Sequence, residues 1–237
     1  LMAAEKDPTV MIGGTLPILK AGHRIGHGDT IVLESCEYYD SFLNFFPTVA
    51  VILNVEEDHL DYFKGGLPDI EASFHKFAES VPEDGCIVAN YEDKNTMDSI
   101  AGINRKVITF GIDKNADVYA DNIRFSGAKS MFDLYVGSEK ITDVTLHVPG
   151  MHNIRNALAA AAACLHLGIG GTAIKYGLAG FIGAGRRFEY KGKYNGADVY
   201  DDYAHHPSEL QATLDAVQQL GYKRNIVVFQ PHTYTRT

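Results

Sequence analysis

A continuous apolar run in residues 49–55, Val-Ala-Val-Ile-Leu-Asn-Val, is the strongest strand pattern in this chain of 237 residues. It does not alternate between apolar and polar side chains, and strands that are buried on both faces of a parallel sheet have this composition. We therefore expect a parallel-sheet strand here, with both of its faces buried. Two more apolar runs, residues 86–89 and 107–110, predict further buried strands.

Helix-like spacing alternates with these strands along the chain. Ile70, Phe74, Phe77 and Val81 are four, three and four residues apart, which places them on one face of a helix over residues 69–81. A second helix is predicted over residues 153–167, and the intervening residues 116–148 show the alternating pattern of antiparallel strands. The fold class expected from this order is α/β, with a mostly parallel central sheet flanked by helices and a small antiparallel excursion.

A second α/β unit is expected after the glycine- and arginine-rich segment 183–187, which has the composition of a hinge. Alternating strands are predicted within residues 190–203, a helix over 207–220, and a strand over 226–229. We therefore expect a central domain at residues 1–185 and the start of a Rossmann-like domain at residues 186–237. Since both ends of the pattern are abrupt, we interpret the chain as an internal piece of a longer protein.

Charge and composition exclude several classes of protein. The chain has 21 Lys and Arg against 30 Asp and Glu, a net charge of −9, which argues against general nucleic-acid binding. No apolar run approaches the roughly 20 residues of a membrane-spanning helix, so membrane insertion is not expected. The three cysteines are far apart and odd in number, which argues against a disulfide framework and favours a reducing cytoplasm.

Acidic residues and a histidine follow two predicted strands. Glu37 comes after the short apolar run 30–33, and Asn54, Asp58 and His59 come after or at the end of the run 49–55. Because the carboxyl ends of parallel strands meet at one edge of a sheet, these groups could hold a hard cation such as Mg²⁺. The alternative is that Asp58 caps the next turn and His59 bonds to a backbone carbonyl group.

A group of amide side chains begins the helix predicted over residues 153–167. Asn153 and Asn156 are three residues apart, hence on one face of the first turn, and His152 precedes them. Amide groups in this position could recognise the edge of a purine ring. The alternative is that Asn153 is only the N-cap of the helix, since asparagine is among the preferred N-cap residues.

Two further segments lie at and after the expected hinge. Arg187 carries a guanidinium group suited to phosphate, although a surface pair with Glu189 is an equal alternative. The segment 200–207, Tyr-Asp-Asp-Tyr-Ala-His-His-Pro, places two carboxylates and two imidazoles between a strand and a helix. A zinc site is not favoured there, because a third ligand with suitable spacing is missing; capping of the following helix is the other alternative.

Taken in this order, these segments resemble the Mur ligase family. The resemblance covers nearly the whole chain, through residues 34–43, 54–61, 150–157, 183–189, 201–207 and 230–237. The segments 201–207 and 230–232 favour the alanine-adding branch. The resemblance implies three domains, with a UDP-binding N-terminal domain, an ATPase central domain and a Rossmann-like C-terminal domain. It also implies that ATP converts a substrate carboxylate to an acyl phosphate, which an amine then attacks.

The resemblance assigns metal and nucleotide roles to individual residues. Glu37 and His59 are implied to hold Mg²⁺ near the γ-phosphate of ATP, and both are then catalytic, together with Arg187. The residues implied to bind ATP are His152, Asn153 and Asn156 at the adenine, Arg187 at the phosphates and Asp202 at the ribose.

The implied substrates are UDP-N-acetylmuramate and L-alanine, joined during peptidoglycan synthesis. Asn54 is implied to lie near the muramoyl group, and Tyr203, His232 and Arg236 to line the alanine pocket. The phosphate loop of the family would precede Leu1, so we expect the chain to be inactive alone. Two alternatives remain: a related ligase that attaches recycled tripeptide to the same nucleotide, and a non-catalytic nucleotide-binding module.

Overall fold

The structure is a computed structural model that describes residues 1–231. Its strands are β1 Thr9–Leu16, β2 Ala21–Arg24, β3 Ile31–Leu33, β4 Val49–Ile52, β5 Cys86–Asn90, β6 Lys106–Gly111, β7 Val118–Ser126, β8 Lys129–Val136, β9 Glu139–Leu146, β10 Glu189–Tyr194 and β11 Ala197–Asp201. Its α-helices are α1 Leu67–Glu79, α2 Lys94–Ser99, α3 Met151–His166, α4 Gly171–Ala179 and α5 Pro207–Gln219. Short 3₁₀ helices span Met2–Ala4 and Tyr38–Asn44.

A six-stranded sheet in the order β4-β5-β6-β7-β8-β9 organises the larger part of the molecule. Strands β4 to β7 pair in parallel, and β7, β8 and β9 continue the same sheet as an antiparallel meander. All five residues of β5 are buried, as expected for a central strand of a parallel sheet. The predicted α/β class, with its parallel sheet and antiparallel extension, is confirmed.

Helices cover both faces of this sheet. On one face α1 packs its apolar side, where Phe77 stacks on Phe42 with ring centroids 4.7 Å apart. On the other face α3 buries Ile154 and Leu158 completely against β5, β6 and β7. Both long helices predicted from spacing are therefore confirmed, although each begins two residues earlier than expected and α1 also ends two residues earlier.

Strand β4 corrects the expectation that both faces of the run 49–55 are buried. Ala50 and Ile52 are buried against α1, but Val51 on the opposite face is 41% exposed. Within residues 1–231 the neighbour of β4 in the sheet is β5 alone, so β4 is an edge strand. An apolar run thus indicated a strand correctly but not the number of its covered faces.

A separate three-stranded sheet, in the order β2-β1-β3, corrects a second expectation. Strand β3 pairs in parallel with β1 in this small sheet and not beside β4. Glu37 and His59 therefore do not follow neighbouring strands of one sheet. The 3₁₀ helix Tyr38–Asn44 instead carries the chain from the end of β3 towards α1, where Phe42 is buried.

After residue 185 the chain forms the antiparallel hairpin β10–β11 and then α5, which confirms those predicted elements. The strand predicted over residues 226–229 is wrong. These residues have no strand partner within the described chain, and Val228 is 93% exposed. A strand requires a neighbour for its backbone hydrogen bonds, which an apolar sequence alone does not supply.

His232 and Arg236 lie outside the described residues. No helix in residues 1–231 is both long and apolar enough to cross a membrane.

Candidate active site

A cleft of about 370 Å³ lies between the edge of the large sheet and the N-terminus of α5. It is lined by side chains from both parts of the chain. The polar residues from the first part of the chain are Glu37, Asn54, Glu56, Asp58 and His59, and those from residue 187 onward are Arg187, His205, His206, Ser208 and Glu209. Phe63, Ile70 and Phe74 form its apolar wall.

Glu37 and His59 meet in this cleft. Nε2 of the His59 imidazole lies 3.2 Å from Oε1 of Glu37 and 3.8 Å from Oδ2 of Asp58. The two side chains are only partly accessible, with 15% of His59 and 33% of Glu37 exposed. The sequence therefore identified two groups that the fold brings together, although they reach the cleft from different substructures.

The backbone at His59 is held in an uncommon conformation. Its φ of 54° lies in the left-handed region, which non-glycine residues rarely adopt. The carbonyl oxygen of His59 accepts hydrogen bonds from the amides of Tyr62 and Phe63, and Oδ1 of Asp58 accepts from the amide of His59 at 2.7 Å. The Asp58 carboxylate thus bonds to the residue at which this turn begins, but the turn amides of Tyr62 and Phe63 bond to the His59 carbonyl oxygen and not to Asp58.

An aromatic ring that the sequence analysis did not select covers His59. Tyr38 stacks on the imidazole with ring centroids 4.1 Å apart and planes 18° from parallel. The Tyr38 hydroxyl donates a 2.5 Å hydrogen bond to Oδ2 of Asp61. This hydrogen bond raises the pKa of Tyr38 and lowers the pKa of the Asp61 carboxyl. Tyr38 follows Glu37 directly, but nothing in the sequence indicates that it contacts His59.

The donor set at the Glu37–His59 pair fits a magnesium ion that arrives with phosphate. Mg²⁺ usually takes one or two protein ligands and fills its other positions with water and phosphate oxygens. Among residues 1–231 no group of three or more His, Cys, Asp or Glu side chains is arranged to hold a metal ion. One carboxylate and one imidazole would supply two ligands to a magnesium ion whose other positions are filled by water and phosphate.

Arg187 brings a positive charge to the other side of the cleft. Its Nη1 lies 3.3 Å from Oε1 of Glu209, and its guanidinium carbon is 6.0 Å from the centre of the Tyr203 ring. The alternative pairing with Glu189 is wrong. The Glu189 carboxylate accepts from the backbone amide of Arg186 and pairs with Lys191, both at 2.9 Å.

Glu209 caps α5 and was not selected from the sequence. Its Oε2 accepts hydrogen bonds from the backbone amides of His205 at 3.1 Å and His206 at 3.3 Å. Burial would raise the pKa of this carboxyl, but those amides and Arg187 outweigh burial and lower the pKa. Glutamate three residues after the N-cap, with Pro207 at the first helical position, is a spacing that could have identified it.

Asp202 and Tyr203 lie in the loop before α5. The two carboxylate oxygens of Asp202 accept from the amides of Phe188 and Ala204, each at 2.7 Å, so this side chain ties the loop to the hinge. The Tyr203 ring lies under the guanidinium of Arg186 at 4.7 Å, a cation–π contact. The predicted contacts of Asp202 with ribose and of Tyr203 with alanine stay predictions.

The residues predicted to contact adenine lie apart from this cleft. His152 lines a second cavity, of about 550 Å³, between α3 and α5, and burial lowers the pKa of its imidazole. Asn153 donates from Nδ2 to the carbonyl oxygen of Pro149 at 2.7 Å, and Asn156 is exposed. The N-cap of α3 is Gly150, so the capping alternative for Asn153 is wrong. Neither asparagine lines either cavity, and their adenine role stays a prediction.

Comparison with protein families and curated proteins gives one consistent result. Residues 22–164 match the Mur ligase middle domain, and residues 186–236 match the family described as Mur ligase, glutamate ligase domain. The UDP-N-acetylmuramate–L-alanine ligase of Clostridium novyi is 46% identical over 236 residues, which are 100% of this chain and 51% of that protein. The chain thus spans about half the length of the curated relatives it matches.

Solved structures give the same fold. The crystal structure of UDP-N-acetylmuramate–alanine ligase MurC from Thermotoga maritima matches with a TM-score of 0.79 and 28% identity, over 93% of this chain and 49% of that chain. The UDP-N-acetylmuramate:L-alanyl-γ-D-glutamyl-meso-diaminopimelate ligase from Neisseria meningitides matches with a TM-score of 0.68 and 27% identity, over 76% of this chain and 59% of that chain.

Proposed function

The chain belongs to the Mur ligase family, and we propose that its full-length protein joins L-alanine to UDP-N-acetylmuramate with ATP as the energy source. In this proposal ATP converts the substrate carboxylate to an acyl phosphate, and the amine of L-alanine attacks that carbonyl carbon to form the amide. The reaction belongs to peptidoglycan synthesis, and the cytoplasmic location expected from the cysteine pattern stays a prediction.

The observation that carries the proposal is the arrangement of charge in the cleft. Glu37 and His59 lie on one side and Arg187 on the other, and the chain segments that supply them belong to the two matched domains. Phosphoryl transfer requires positive charge around the transferred group and little covalent chemistry from the protein. A metal ion beside Glu37 and His59, with the guanidinium of Arg187, would supply that charge.

We assign the remaining roles on the same basis. Residues 1–185 form the central ATP-binding domain and residues 186–237 begin the C-terminal ligase domain. Asn54, which lines the cleft, contacts the muramoyl substrate, whereas Tyr203, His232 and Arg236 form the alanine pocket. His152, Asn153 and Asn156 contact adenine, and Asp202 contacts ribose. This nucleotide assignment requires ATP to extend from the cleft towards the start of α3.

A ligase that attaches tripeptide to the same muramoyl nucleotide is the second candidate, because a solved ligase of that kind from Neisseria meningitides shares the fold. L-Alanine is favoured because the curated alanine ligase of Clostridium novyi is 46% identical over the whole chain. The solved structures do not separate the two candidates, since the alanine ligase matches with 28% identity and the tripeptide ligase with 27%. A non-catalytic nucleotide-binding module could use the same Glu37–His59–Arg187 arrangement to hold nucleotide, so turnover is what distinguishes it from a ligase.

Phosphate release by the full-length protein tests the proposal. We expect release that requires UDP-N-acetylmuramate, Mg-ATP and L-alanine together, with a product of the mass of the alanyl conjugate. Preference for the tripeptide over L-alanine would support the second candidate. Nucleotide binding without phosphate release under any of these conditions would support the non-catalytic module and overturn the proposal.

A further inference from the structure

Glu56 connects the two parts of the chain inside the cleft. Its Oε2 accepts a 2.6 Å hydrogen bond from the hydroxyl of Ser208 on α5, 152 positions further along the chain. The same oxygen lies 3.3 Å from Nδ1 of His206. Its other oxygen, Oε1, accepts a 3.0 Å hydrogen bond from Nδ2 of Asn54. One carboxylate therefore contacts the start of α5 and the residue that we place beside the muramoyl substrate.

We propose that Glu56 is a positioning residue, which orients the Asn54 amide and docks the N-terminus of α5 through the same carboxylate. This inference rests on the proposed function for the role of Asn54. The matched middle domain contains Glu56 and Asn54, and the matched C-terminal region contains Ser208 and His206. The position of one domain is thereby linked to the orientation of a side chain in the other.

The hydrogen bonds around Glu56 form a closed set. Nδ1 of His206 lies 2.8 Å from the Ser208 hydroxyl, and both groups face the same carboxylate oxygen. The side chains of Glu56 and His206 are 36% and 24% exposed, so the bridge is partly shielded from water. Hydrogen bonds to a charged group are stronger than neutral ones, and shielding from solvent favours them further.

The link through Glu56 makes the orientation of Asn54 depend on whether α5 is docked. When α5 moves away from Glu56, the carboxylate loses Ser208 and His206 and is free to turn, because Asn54 is then its remaining hydrogen-bond partner within residues 1–231. The Asn54 amide then no longer donates to a carboxylate of fixed orientation, so its own orientation is no longer fixed. Docked α5 is therefore required for the cleft to present Asn54 to the substrate, so that the substrate site is complete only with the second domain in place.

The test uses the full-length protein with Glu56→Ala, Ser208→Ala and both together. Ser208→Thr retains the hydroxyl, and Glu57→Gln removes the adjacent exposed charge as a matched control. The wild type, the two single alanine variants and the double variant form a double-mutant cycle, and their chemical unfolding measures the coupling between positions 56 and 208. Steady-state assays measure KM for UDP-N-acetylmuramate and kcat. The unfolding cycle does not depend on activity.

We expect the effects of the two single changes on the unfolding equilibrium to be non-additive by about 3-fold or more. Glu56→Ala should raise KM for UDP-N-acetylmuramate about 10-fold, and Ser208→Ala should also raise this KM. Ser208→Thr should restore the wild-type KM, and Glu57→Gln should leave it unchanged.

Additive unfolding effects would show that the bridge does not form and would overturn the inference. Coupling without any change in KM would overturn the positioning role while leaving the bridge in place. Failure of the wild-type protein to ligate L-alanine would overturn the proposed function, and the unfolding cycle would still decide whether Glu56 and Ser208 interact.

Discussion

The ring of Tyr38 stacks on the imidazole of His59, and the Tyr38 hydroxyl is held by Asp61. This contact fixes the plane of the imidazole whose Nε2 faces Glu37. Of the two proposed metal ligands, Glu37 and His59, the imidazole is thus supported by the neighbouring aromatic ring as well as by its own backbone conformation. Orientation of such ligands by surrounding groups is a general requirement of metal sites.

Replacement of Tyr38 should therefore weaken the use of magnesium. An aromatic contact of this kind contributes about 0.5–1.5 kcal/mol, so Tyr38→Ala should raise the Mg²⁺ concentration at half-maximal rate roughly 2- to 10-fold. Tyr38→Phe keeps the ring and should have the smaller effect. Magnesium titration of phosphate release measures both, with the exposed Tyr176→Ala on α4 as the control. Equal effects of the alanine and phenylalanine changes would argue against stacking.

The cap of α5 predicts a pH-dependent contribution to stability. The folded-state pKa of Glu209 is below its ordinary value of 4.5, so the charged carboxylate stabilises the fold above that pH. Glu209→Gln should reduce the free energy of unfolding at pH 7 by about 1 kcal/mol, because a neutral amide oxygen accepts weaker hydrogen bonds from the amides of His205 and His206 than a carboxylate does. The difference from wild type should narrow as the pH falls below 4.5 and both forms of residue 209 become neutral. Urea unfolding across this pH range measures it, and a difference that grows in acid would contradict the assignment.

Two glycines at helix N-caps form a matched pair for a steric prediction. Gly150 begins α3 with φ 98°, and an added Cβ would lie 2.6 Å from Cε1 of His152. Gly170 is the N-cap of α4 with φ −77°, and a Cβ added there would meet no neighbouring atom of residues 1–231 within 4 Å. Gly150→Ala should destabilise the fold by about 1–3 kcal/mol more than Gly170→Ala, because both positions lose glycine at an N-cap but only Gly150 has the left-handed backbone and the close contact. Similar melting temperatures for the two variants would contradict this account.

Sequence periodicity predicted the helices, because the buried face of a helix is set by residues that are close together in the chain. The spacing of Ile70, Phe74 and Phe77 identified α1, since the buried face of a helix recurs every third or fourth residue, although Val81, the last residue of that pattern, lies two residues beyond the helix. The exposed face of β4 at Val51 could not be predicted in this way. Whether a strand face is covered depends on which elements pack there, and that is decided by the whole sheet.

In the candidate site, too, some features could be predicted from local sequence and others depend on the whole fold. Glu37 and His59 were selected by residue type and position, and their 3.2 Å contact agrees with that selection. The left-handed backbone of His59 and the bridge from Glu56 to Ser208 were not foreseen. A bond across 152 positions has no local pattern, because it depends on how the second domain docks. Strands β1 and β2 were also missed, since Gly13, Gly14 and Gly22 interrupt their apolar pattern.

The account depends most directly on Glu37 as a group at the reacting phosphate. The decisive measurement is ATP-dependent ligation of L-alanine to UDP-N-acetylmuramate by the full-length protein carrying Glu37→Gln, beside wild type and Glu83→Gln. Glu83 is an exposed glutamate in the turn after α1 and serves as the control. We predict that Glu37→Gln lowers kcat about 100-fold or more while its melting temperature stays close to that of wild type, and that Glu83→Gln retains the wild-type rate. A wild-type kcat for Glu37→Gln would contradict the account.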